Sequence, residues 1–293
     1  MDYKDSKTLG ILIITIIYIT ASILGIYLYY ILRENFNFQI NLLISDTIST
    51  FYVFIFSTIL SNSSVYDAYW SVQPIVIFTS YIIFYQWSEE SLLLLLSILI
   101  WGIRLTFNWG YTFKNLSYQD WRYSQIKEKT GNFYPIVNFI GIHYVPTLIV
   151  YACTLPTVYL VFYQNGNKHN VYSIICFLGS LISTLLEAEA DREMHIFKKK
   201  NDTNTFIRNG LWKYSRHPNY LGEILFWWFI GLYCYFLIQD YKLYYILSGA
   251  LINTLLFLFI SIPLADNHQK RKEGFDEYKS ETNMLIPFCK ICC

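Results

Sequence analysis

Residues 209–228 read NGLWKYSRHPNYLGEILFWW and concentrate side chains that can do chemistry. Arg208, Lys213, Arg216 and His217 set four potential cations beside a proline turn, and Asn219 and Glu223 follow at i,i+4 spacing as an apolar helix begins. Pro218 cannot sit inside a regular helix without removing a backbone hydrogen bond, so the chain is expected to break near 216–218 and restart with Asn219 in the first turn. A new helix N-terminus offers unpaired N–H groups and a partial positive charge, surroundings that hold phosphates well. Asn219 and Glu223 share a face of that helix, so an amide and a carboxylate can reach the sugar or base of a ligand whose phosphates meet the arginines. Cations beside a membrane span also orient it and snorkel to headgroups, which accounts for Arg208 and Lys213. That explanation fails for Glu223, because an ionisable group at membrane depth is costly and functional by default. The structural alternative for Glu223 is an ion pair with Arg216.

Other polar groups stand at intervals along the chain. In LEAEADRE, at 186–193, Glu187 and Asp191 lie one helical turn apart and suit ribose hydroxyls or an amide. Glu193, on the neighbouring stripe with Glu189, is expected to pair with Arg192, Lys198 or Arg208 on a solvated face. In WGIRLTFNWG, at 101–110, Arg104 and Asn108 form an inward polar face. Asp67, Tyr69, Trp70, Ser71 and Gln73 precede Pro74 and read best as an interface belt, with a pocket mouth as the alternative. QDWRY, at 119–123, falls in a charged connection that reads as an amphipathic surface helix. His143, beside Pro146, reads as a hydrogen-bonded core histidine. Asp266 and His268 end the last apolar run and are lid or site positions.

These groups have to be positioned by membrane helices. The 293 residues are 54% hydrophobic, 19% aromatic and 15% charged, with a formal net charge of +1. That is a membrane composition, and no nucleic-acid partner is expected. Apolar runs long enough to span cover 9–32, 40–60, 91–108, 133–163, 171–188, 221–238 and 243–263, while 74–87 is short and tilted or re-entrant. The expected fold is an all-α polytopic bundle of seven or eight spans in contact with the lipid bilayer. Residues 1–64 serve as anchoring helices, 65–288 as one integrated membrane domain and 289–293 as a tail. The first run is too long for a signal-peptide core and is read as a retained span. Basic connections at 114–129, 192–216 and from 270 onward are separated by even numbers of spans, so all three, the C-terminus included, are expected on the cytosolic side. Six cysteines make no disulfide framework. Cys289 and Cys292 lack further ligands, so no metal is expected.

The motifs WSVQP, WGIRLTFNW, QDWRY, NFIGIHYVPT, EAEAD, GLWKYSRHPNYLGEILFWW, SIPL and FDEYKS…LIPF together resemble the DUF1295 branch of the steroid 5α-reductase family over about 65–288. Sterol reductases and isoprenylcysteine methyltransferases carry patterns similar to RHPNYLGE, and the combination with WGIRLT, DWRY and EAEAD makes the match specific. The resemblance implies a helical reductase, expected in the endoplasmic reticulum, with NADPH held on its cytosolic side. It places Arg104, Asp191, Asn219 and Glu223 at cofactor-contacting positions. Asn108, Glu187, Arg208, Arg216, His217, Tyr220 and His268 complete the expected cofactor set. Steroid reductases of this type polarise a 3-keto group with a Glu just before a Leu-Pro and a Tyr three residues ahead of the matched arginine. Val72 and Trp101 stand at those places, and neither can protonate a carbonyl oxygen.

The expected reaction is hydride transfer from NADPH to a polarised carbon–carbon double bond of a sterol or other lipid, with a protein acid supplying the proton. Asp67, Tyr69, Tyr123 and His143 are the candidates for that acid. No GxGxxG is present, so helix ends rather than a Rossmann sheet would hold the nucleotide. The competing expectations are an S-adenosylmethionine-dependent lipid or isoprenylcysteine methyltransferase and a non-catalytic sterol-binding protein.

Overall fold

The computed structural model describes residues 3–85, 87–163, 168–201, 204–239 and 245–287. Cys289, Cys292 and the rest of 289–293 lie outside the described residues. The described residues are helical, and their nearest approach to a strand is one isolated bridge between Ser215 and Asn283. Among the described residues, seven helical stretches are long and apolar enough to cross a membrane: Lys7–Leu32, Phe38–Ile59, Glu89–Thr112, Trp121–Tyr163, Val171–Lys200, Pro218–Ile238 and Tyr245–Gln269. This is an integral membrane protein. Two compact units divide it, Met1–Val161 and Phe162–Cys293.

The first unit contains α1 (Lys7–Leu32), α2 (Phe38–Ile59), α3 (Tyr69–Phe84), α4 (Glu89–Thr112), α5 (Trp121–Thr130), α6 (Tyr134–Val137) and most of α7 (Val145–Tyr163). Side chains fix where its helices begin. Ser6 accepts from the Leu9 amide, Asn37 from Ile40 and Asp120 from Arg122, while Ser88 and Ser91 cap each other reciprocally at the start of α4. At 16 residues, α3 is shorter than a full span and carries Pro74 inside it. Ile14, Ile17, Tyr18 and Ala21 of α1 share one core with Val53 of α2 and with Val65, Tyr66 and Tyr69. The charged connection after α4 is pinned from the other side, since Asn62 Nδ2 donates to the Leu116 and Tyr118 carbonyls and the Leu116 amide donates to Lys4.

The second unit contains α8 (Val171–Lys200), α9 (Pro218–Ile238), α10 (Ser248–Leu256), α11 (Ile262–Gln269) and α12 (Phe275–Glu281). Its principal packing is α8 against α9. Gly222 makes that approach possible, because a Cβ there would stand 2.8 Å from both Glu187 Cβ and the Ser183 carbonyl. Small residues at the contact are how membrane helices come close enough to pack well.

Two π-helical turns interrupt the helices, Asn138–Tyr144 and Phe257–Ser261, each just ahead of a proline. Pro146 and Pro263 lack an N–H and crowd the carbonyl four residues back, and those carbonyls, of Ile142 and Phe259, fall inside the π turns. The wider ring absorbs the misfit.

Candidate functional site

In the second unit the chain leaves α8, makes a 3₁₀ turn at Gly210–Lys213, and restarts as α9 with Pro218 in its first position. The break falls where Pro218 requires it, with His217 as the N-cap residue. Gly210 sits at φ +60, and Glu193 lies directly beneath it, accepting from the Leu211 amide at 2.9 Å. Glu193 is therefore not part of a solvated ion pair, since its carboxylate satisfies an otherwise open amide of the turn. Arg192 pairs with Glu189 instead. Trp212 Nε1 donates to the Ala190 carbonyl at 3.1 Å, which ties the turn to α8.

Arg216 and His217 are buried and converge on Asp266 of α11. Arg216 Nη2 donates to Asp266 Oδ2 at 3.1 Å and His217 Nε2 to Oδ1 at 2.9 Å, with Lys279 Nζ 3.5 Å from Oδ2. Arg216 Nη1 also donates to the carbonyls of Lys279 and Thr282, and its backbone amide to that of Asn283. Tyr278 closes the same junction by donating to the Trp212 carbonyl. The segment after α11 is thus fastened over the Arg-His-Pro turn. Arg216 pairs with Asp266 and not with Glu223, which corrects the ion-pair alternative.

Glu223 is 3% exposed on α9 and accepts from Trp227 Nε1 at 2.7 Å. Asn219 lies one turn earlier, and its Oδ1 is buried with no hydrogen-bond partner, as is Arg216 Nε. The Tyr220 ring stacks on His217 with 5.1 Å between centroids and 8° between planes. Glu187 is buried on α8, Asp191 and His268 are half-buried, and Arg208 is exposed. An unpaired amide oxygen, an unpaired guanidinium N–H and a buried carboxylate are complementary to amide, phosphate and hydroxyl groups. Groups of those kinds occur on a dinucleotide, so these residues are compatible with one.

The first unit carries Arg104 and Asn108, half-buried on α4, and all four proton-donor candidates. Tyr123 donates to Asp67 Oδ1 at 2.5 Å, while Arg122 bonds Asp120 at 2.7 Å. Burial pushes the Asp67 carboxyl up to about 6, against the opposing pull of the Arg122 charge and the Tyr123 hydrogen bond. Tyr69 is the first residue of α3, with its ring against Tyr18 and Tyr66. His143 is wholly buried in the first π turn, with its ring against Phe54 and Tyr66. Its Nδ1 lies 3.0 Å from the Asn138 carbonyl, which can only accept, so Nδ1 carries a proton. Nε2 has no partner and in the neutral ring is an acceptor, the opposite of what a proton donor needs. Val72 is half-buried against the first unit's core, and Trp101 is fully buried against the Trp70 ring, so both places are apolar.

Asp266 is the residue whose importance the linear pattern understates. It stands 50 positions from Arg216, and the available signal was a carboxylate at a span end in a chain with buried cations to match.

A family model described as a protein of unknown function (DUF1295) matches residues 53–282. An uncharacterized protein of Schizosaccharomyces pombe is 24% identical over 195 residues, covering 57% of this chain and 56% of that protein. The 3-oxo-5-alpha-steroid 4-dehydrogenase 1 proteins of Macaca fascicularis and Homo sapiens are each 28% identical over 109 residues, covering 37% of this chain and 38% of theirs. The chain thus spans about half or less of the length of these curated relatives. No solved structure matches. With the family model running through both units, the chain belongs to the DUF1295 family, and its partial similarity to the two steroid dehydrogenases is consistent with the resemblance to steroid 5α-reductases.

Proposed function

We propose that this protein is an NADPH-dependent membrane reductase acting on a polarised carbon–carbon double bond of a lipid. The observation that carries the reading is the start of α9, where Asn219 Oδ1, one turn ahead of the buried Glu223, and Arg216 Nε, just before the helix, are buried without partners. Leaving such groups unsatisfied in a folded membrane protein is costly, so a ligand with matching donors and acceptors is the economical explanation. The distant relationship to proteins named as steroid dehydrogenases supports a redox reaction over methyl transfer. When bound, NADPH supplies the hydride. Asn219 and Glu223 would accept from amide or hydroxyl groups and Arg216 would meet phosphate, while Tyr220, packed against both His217 and Phe257, would hold the turn in place. Glu187, Asp191, Arg208 and His268 are the second unit's supporting positions, and Arg104 and Asn108 enter through the family pattern. For the proton, the Tyr123–Asp67 pair is the best-formed donor, because the carboxyl holds the hydroxyl in place and titrates near 6.

Thermal unfolding of the detergent-solubilised protein with NADPH, NADH or S-adenosylmethionine tests this. NADPH at one hundred times its dissociation constant should add about 2.7 kcal/mol of stability. Glu223→Gln replaces a charge-assisted bond with a neutral one and should weaken NADPH binding about tenfold, with the unliganded melting temperature little changed. Stabilisation by S-adenosylmethionine alone would replace the reductase with the methyltransferase.

A further inference from the structure

A cavity of about 50 Å³ lies among α1, α2 and α3 of the first unit. Its walls are mostly apolar, broken by a polar band in which Asp46 and Ser49 of α2 meet Tyr69 and Gln73 of α3. Asp46 is 6% exposed and Gln73 4%. Asp46 Oδ2 and both Gln73 Oε1 and Nε2 lack any hydrogen-bond partner. The neighbouring serines do not supply one, since Ser49 Oγ donates to the Ser45 carbonyl and Ser45 Oγ to Asn41 Oδ1. No lysine, arginine or histidine among the described residues forms an ion pair with Asp46. A carboxylate and a complete amide, buried between spans and facing one cavity, are a costly arrangement unless something fills it.

We propose that this cavity binds the hydroxyl end of a single-chain lipid. A hydroxyl joins two of these atoms at once, because its O–H donates to Asp46 Oδ2 or Gln73 Oε1 while its oxygen accepts from Gln73 Nε2. An ether or ester oxygen can only accept, so it leaves both buried oxygens unanswered. Size selects the rest of the ligand. A buried water needs about 10–15 Å³ on this measure, so the cavity holds about four water-sized groups, a hydroxyl and the first methylenes of one chain. A single alkyl chain matches that space more closely than a fused ring system does. The lining includes Phe84 of α3, which is 47% exposed, so the cavity reaches the outer face of apolar helices and a chain can extend into the bilayer.

The test uses the full chain in detergent without nucleotide, so its result is independent of the NADPH reading. The probes are a long-chain primary alcohol with a diazirine at its far end and the corresponding methyl ether, with cholesterol as competitor. Photolabelling, read by intact mass, should saturate with the alcohol and require about tenfold more of the ether, the loss expected when a buried acceptor is left unsatisfied. Gln73→Leu and Asp46→Leu should each abolish the preference for alcohol over ether, and Asp46→Asn, which keeps an acceptor, should retain part of it. Melting temperatures read in parallel separate loss of the site from loss of the fold, and the comparison of alcohol with ether on the unaltered protein requires no variant. Non-saturable labelling, equal labelling by alcohol and ether, or an unchanged preference in folded Asp46→Leu and Gln73→Leu would each overturn the proposal, leaving a water-filled cavity. Displacement of the alcohol by cholesterol at lower concentration than by unlabelled alcohol would overturn the single-chain assignment.

Discussion

At Asp67 burial and hydrogen bonding pull in opposite directions, and burial wins, holding the carboxyl at about 6. A carboxyl in an unfolded chain titrates near about 3.9, so the folded protein keeps this proton more tightly than the unfolded one. The resulting stability is fully present below about 4 and is lost as pH rises through about 6. Melting temperature measured from pH 4.5 to 7.5 should fall over the lower part of that range, and Asp67→Asn should remove the fall attributable to this group. An Asp67→Asn profile parallel to that of the unaltered protein would remove the argument for Asp67 as a proton reservoir. Single side chains differ in how legible they are before folding. Glu223 is conspicuous because it is a lone carboxylate ahead of Phe226, Trp227 and Trp228. Asp266 looks like an ordinary helix-end residue, and only packing that brings together positions 216, 217 and 279 reveals its three nitrogen partners. Asp46 lies in an apolar run just as Glu223 does, yet its significance depends on a cavity, which no spacing rule encodes.

Helices are the most legible level. Hydropathy over about 17–25 residues locates the seven spans, and Pro218 marks the restart of α9 because its ring tolerates only the first turn. The π turns are not legible from a 3.6-residue period, since they arise where a proline's missing N–H and the carbonyl behind it have to be reconciled. The fit of α8 to α9 is equally hidden, although it places Glu187 beside the start of α9. Gly222 gives the measurable consequence, because a methyl group there would press at 2.8 Å on the Ser183 carbonyl, which is backbone and cannot rotate away. Gly222→Ala should therefore destabilise the protein by about 1–3 kcal/mol and weaken NADPH binding along with it, as α9 shifts relative to Glu187. Unchanged melting temperature in Gly222→Ala would show that the two helices have more freedom than their contact implies.

For the whole molecule, membrane orientation follows from charge and from counting spans. Lysines and arginines concentrate in 114–129, in 192–216 and beyond 270, and flanking basic residues favour the cytosolic side. Along the chain, the apolar parts of Trp121–Tyr163 and Val171–Lys200 separate the first basic segment from the second, and Pro218–Ile238 and Tyr245–Gln269 separate the second from the third. If each of these stretches crosses once, the chain returns to the side it left after every pair, and the reductase reading requires that side to be the cytosolic one. Lys127→Cys, Lys199→Cys and Glu277→Cys each place a thiol at an exposed position in one of these segments. Made singly in a background with the native cysteines replaced by serine, all three should react with an impermeant maleimide offered from the cytosolic side of sealed vesicles. Each should be protected when the reagent is on the other side. A thiol at 199 that is reached only from the lumenal side would put the start of α9 out of reach of cytosolic NADPH and would sink the reductase reading. Reversal at 127 alone would leave the second unit's site intact and would require an odd number of crossings between 127 and 199, so that one of the apolar runs 133–163 and 171–188 fails to cross.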